Sequence, residues 1–129
     1  MKDSVVVLCG HTPDGRKVIG GAFQMADTHG YPLWASLDWA QERGNVISFP
    51  HYFASAIEHG WDDRQAFGRI REALTDRGDI SNYEHIKDRC VMMFMHFANQ
   101  MPGKNAMEIA TAMRESMERF ELAKEPVEA

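Results

Sequence analysis

The chain has 129 residues, 44% hydrophobic and 26% charged, with a net charge of −5 at neutral pH. That length suits a single domain, 1–129, whose core needs neither metal nor disulfide, and the composition is that of a folded chain rather than a disordered one. No apolar run approaches the roughly 20 residues that span a bilayer, so no membrane association is expected. The negative balance makes nucleic acid an unlikely partner, because a general nucleic-acid binder must displace counterions from phosphate.

Met1-Lys2-Asp3-Ser4 leads directly into a β-type run without a small-residue cleavage site, which predicts a cytoplasmic protein. Val5-Val6-Val7-Leu8-Cys9 reads as a strand. Thr12-Pro13-Asp14-Gly15 reads as a turn, since Pro presets φ and Gly accepts a positive one. Lys17 to Phe23 reads as the returning strand of an antiparallel hairpin over residues 1–24. Gly20-Gly21 within it marks a bulge or a close approach of another backbone. Asn45 to Phe49 offers a third strand.

From Pro32 to residue 125 the pattern is helical, with about five short helices expected. The first runs from Pro32 to Gly44, with Leu33, Leu37 and Ala40 on one face and Trp34 and Trp39 on different faces. The second runs from about Pro50 to His59, with Phe49, Phe53 and Ile57 at fourfold spacing. Asp62 with Gln65, Ser81 with Glu84, and Asn105 with Glu108 have the spacing of capping boxes and open the last three. Pro126 is expected to end the last helix. The fold class expected is α+β: a hairpin, with room for a third strand, packed on helices.

Within the helix beginning at Ser81, Cys90 to Ala98 is apolar nearly all the way round. Such a surface is covered by its own domain or by another chain. Methionine, flexible and polarizable, concentrates on this helix and the next. The expected association residues are therefore Met92, Met93, Met95, Phe97, Met113, Met117 and Phe120, in a homodimer or against an unidentified protein partner.

Catalytic signals are few. No His-x-x-x-His pair, nucleophile elbow or phosphate loop is present, so no metal or cofactor is expected. Cys9 and Cys90 lie in apolar runs and read as buried free thiols. Asp27 and His29, in an expected loop, pair a carboxylate with an imidazole. His96, inside the apolar stretch, reads as a buried or interfacial imidazole, whereas His51 and His85 near helix starts read as exposed. Residues 69–89 have the outline of a helix-turn-helix, but Glu84 and Asp88 share the surface that would face DNA.

Compact, acidic and without a catalytic signature, the chain resembles in type the small accessory proteins of phages and other mobile elements. The leading expectation is a non-catalytic interaction or regulatory protein that binds another macromolecule as a homodimer. The alternatives are a small enzyme or ligand-binding domain at Asp27–His29, with His96 as a further polar candidate, and nucleic-acid binding through residues 69–89.

Overall fold

The computed structural model describes the backbone of residues 1–124 and the side chains of residues 1–119. After a 3-10 turn at Asp3–Val5, β1 (Val7–His11) and β2 (Lys17–Gly20) form the antiparallel hairpin. Its turn is closed by Gly15 N–H donating to the Thr12 carbonyl at 2.9 Å and Thr12 N–H donating to Arg16 at 2.8 Å. Gly15, at φ 89°, supplies the conformation that a side chain would resist. β3 (Val46–Ile47) adds to the far side of β2 in parallel, giving the order β1-β2-β3. The α+β class is therefore present as expected, with the third strand in place.

The returning strand is shorter than expected. It stops at Gly20, and Ala22–His29 forms a helix, α1, that the sequence reading missed. Gly21 adopts φ 112° and swings the chain off the sheet, which frees Ala22, Phe23 and Met25 to bury one helical face. The ladder irregularity lies not at Gly20-Gly21 but between Leu8 and Gly10. The glycine pair instead permits close approach. A Cβ on Gly21 would collide with the Val5 carbonyl oxygen, and one on Gly20 with the His51 ring. Gly30, at φ 65°, ends α1, with its own N–H and that of Tyr31 returning to the Ala26 and Met25 carbonyls.

Five further helices follow: α2 (Leu33–Glu42), α3 (Phe49–Glu58), α4 (Asp63–Asp76), α5 (Tyr83–Gln100) and α6 (Ala106–Lys124). The capping box at α4 forms, with Gln65 N–H to Asp62 at 2.8 Å and Asp62 N–H to Gln65 at 3.0 Å. Asn105 and Glu108 open α6 in the same reciprocal way. The Ser81–Glu84 box does not form. A 3-10 turn over Ile80–Asn82 leads into α5, which begins at Tyr83 without a side-chain cap. Pro126 lies outside the described residues.

The core is organised around α3. Every residue from Pro50 to Ile57 is buried, and α6, α5, α4 and α1 all pack on this helix. Ala54 and Ala56, fully buried, let neighbouring elements approach closely. Phe53 stacks on Phe67 at 4.7 Å between centroids and meets Phe94 edge-on at 6.0 Å. Cys90 and Met113 complete the packing from α5 and α6.

Candidate functional site

Two regions collect the candidate residues: the outer face of α5, and a cleft between α1, α3 and α6. On α5, Met92 is 71%, Met95 51% and Val91 41% exposed. At helical spacings of one, three and four they form one strip. The other expected association residues face inward. Met113 is fully buried, while Met93, Phe97 and Met117 are half-buried and packed on the core. The Phe120 side chain lies outside the described residues. Cys90 is the single fully enclosed residue of α5, and its core-facing neighbours Phe94 and Phe97 fix which side of the helix is covered.

His96 is not buried. It sits on the exposed side of α5, with Nε2 3.1 Å from the Gln100 amide and its ring edge-on to Phe97. Its apolar neighbours in sequence point to an interior position. The helix, however, is covered on one side only, and position 96 follows Met92 and Met95 on the other. Asp27 and His29 lie not in a loop but in the last turn of α1, both exposed. Asp27 and Thr28 line the cleft and His29 does not, so the expected carboxylate–imidazole pair is not assembled there.

The cleft encloses about 560 Å³ and holds a polar network that the sequence reading missed. Glu58, at the end of α3, receives Arg114 Nε at 2.7 Å and Nη2 at 2.9 Å, and the Thr111 hydroxyl at 2.8 Å. Arg114 Nη1 donates to Glu118 at 3.0 Å, and His51 Nε2 donates to the same carboxylate oxygen at 2.9 Å. His51, expected at the surface, is 4% exposed because α3 is enclosed from its first turn. Its Nδ1 faces Gly20 and has no hydrogen-bond partner among the described residues. Arg114 holds the Glu58 carboxyl below its usual value, with the Thr111 hydroxyl assisting. His51, then Arg114, do the same for Glu118. The two carboxylates in turn raise Arg114. The pairs are mutually satisfied and join α3 to α6, an arrangement of a clasp rather than of a free acid or base. The i,i+4 spacing of Arg114 and Glu118 was visible in sequence; their partners on α3, more than fifty residues earlier, were not.

Of the two thiols, Cys90 is not poised as a nucleophile. Cys90 is buried, and burial pushes its thiol up to about 12, away from the reactive thiolate. Cys9 is half-buried and forms no disulfide with Cys90. No group of His, Cys, Asp and Glu among the described residues is placed to hold a metal ion, and no described helix is long and apolar enough to cross a membrane. The helix-turn-helix outline maps onto α4, the 3-10 turn and α5. There Asn82, His85 and Arg89 border a groove with Arg77, whose guanidinium is engaged by Asp38 and Asp79. Comparison with family models, curated proteins and solved structures found no match.

Proposed function

We propose that this chain is a non-catalytic interaction protein that works through the outer face of α5, and that this face pairs with a second copy of itself. The observation that carries the reading is the strip of Val91, Met92 and Met95, left outside a helix whose opposite side packs on the core. Isolated exposed apolar residues are ordinary, but adjacent ones on one ridge mark an association surface. Methionine suits such a surface because it adapts its shape to the facing chain.

Self-association is favoured by the polar groups that flank the strip. An isologous antiparallel pairing of α5 centred on Met92 brings Asp88 of each copy level with His96 of the other, since both lie four residues from the centre. Among the described residues, Glu84, Asp88 and Arg89 are not held in ion pairs. The homodimer then presents the rest of its surface to the macromolecule it regulates.

The test is the pair of substitutions Met92→Glu and Met95→Glu in one chain. Light scattering after size-exclusion chromatography at tens of micromolar should give twice the chain mass for the wild type and the chain mass for the variant. The thermal melt of the dissociated variant should stay cooperative. A wild type that elutes and scatters as a monomer throughout that range removes the proposal.

A further inference from the structure

A second, smaller pocket of about 300 Å³ opens between α1, α2, α3 and α4, and shares Asp27 with the cleft that holds the clasp. Its lining combines aromatic surface with acid. Trp34, 45% exposed, comes from the first turn of α2, and half-buried Trp61 comes from the segment before α4. Asp27 comes from α1, and Arg69 and Glu72 from α4.

Tyr52 supplies the floor. It is 2% exposed and lines this pocket, and its hydroxyl makes no hydrogen bond with any described residue. The charges that it feels are Arg69 and Glu72, both on the pocket wall, and burial pushes the phenol up to about 12, so it stays a neutral donor and acceptor. A buried hydroxyl without a partner is costly unless something fills that role.

We infer that this pocket binds an alkylammonium group. Indole rings present a negative face to a cation, and a carboxylate beside them reinforces it. Asp27 has no ion-pair or hydrogen-bond partner among the described residues. Arg69 opposes a cation, but it is exposed, and it is engaged with Glu72 at 3.8 Å. The ammonium could belong to a small quaternary amine or to a lysine side chain on another protein. The recognition chemistry is the same, and the volume admits either.

The experiment follows the indole N–H signals of the full chain by NMR as choline is added, with 3,3-dimethylbutan-1-ol as its uncharged isostere and Nα-acetyl-lysine methylamide as the lysine probe. Choline should shift Trp34 and Trp61 saturably and leave Trp39 unmoved. The uncharged isostere should bind at least about tenfold more weakly, and Trp34→Ala should cost choline about tenfold. Asp27→Asn should also weaken it, whereas Arg69→Gln, which removes the like charge, should tighten it severalfold. Asp27, Arg69 and Trp34 are all exposed, so the fold should survive, checked by an unchanged melt. Tighter binding of the lysine probe than of choline assigns the site to a protein partner; the reverse assigns it to a small amine. Equal binding of choline and its isostere, or no saturable shift with either cation, overturns the inference.

Discussion

Phe49 to Ile57 in α3 and Cys90 to Ala98 in α5 are both apolar around most of the helix circumference, but the fold treats them differently. α3 is ringed by α1, α4, α5 and α6, and even its histidine is buried. α5 packs through Cys90, Phe94 and Phe97 and leaves Val91, Met92 and Met95 in solvent. The two differ in what faces the neighbours. α3 carries Ala54, Ser55 and Ala56, small enough for helices to close on every side. The open side of α5 carries long methionines, exposed among the described residues. Apolar circumference alone therefore marks a helix that needs covering; residue size indicates whether its own domain does so.

The comparison is broken most severely in the core. Phe53→Ala removes a stacked and an edge-on aromatic partner at once, and should lower the unfolding free energy by about 3–5 kcal/mol in a denaturant titration. Met92→Ala, in the monomer, should change it by less than about 0.5 kcal/mol. Costs of similar size for the two would mean that α5 is as enclosed as α3.

The clasp between α3 and α6 comes next. Arg114→Ala leaves Glu58 without its bidentate partner and Glu118 with His51 alone. Chemical denaturation should show a loss of about 2–3 kcal/mol. A smaller effect belongs to pH. Glu58 and Glu118 are held below their ordinary value of 4.5, so the unfolded chain binds protons first as the solution is acidified. The stability that they contribute is complete above about pH 4.5 and is lost as pH falls through their folded values. A melting series over that window should flatten in the Glu58→Gln, Glu118→Gln double variant. A wild-type series that is already flat there would show the clasp to be energetically idle.

The smallest expected effect is at His96. Because it is exposed and its side chain bonds to Gln100 among the described residues, His96→Gln should leave the monomer's melting temperature unchanged. A clear drop in melting temperature on substitution would place the imidazole in a buried environment after all.

Most elements were legible because their signals are local. The Pro13-Asp14-Gly15 turn, the Asp62–Gln65 cap and the fourfold apolar spacing of α3 each act within a few residues. α1 was hidden because Gly20-Gly21 reads as a flaw in a strand, whereas its consequence is a change of direction that makes Phe23 a helical core residue. The α5 strip was read as part of a larger methionine set, since sequence spacing alone could not separate Met92 and Met95 from Met93 and Met113. The clasp was invisible for a different reason. His51 and Glu58 meet Arg114 and Glu118 only through the docking of α6 on α3, which no local rule encodes.

Isotope-filtered NMR tests the proposed contact between the outer face of α5 and its own copy atom by atom. A sample mixing methyl-labelled methionine chains with unlabelled chains should show intermolecular NOEs at the Met92 and Met95 methyls and none at the buried Met113 methyl. Monomer tumbling with no intermolecular NOE at any methionine, or NOEs confined to methionines away from α5, would contradict it.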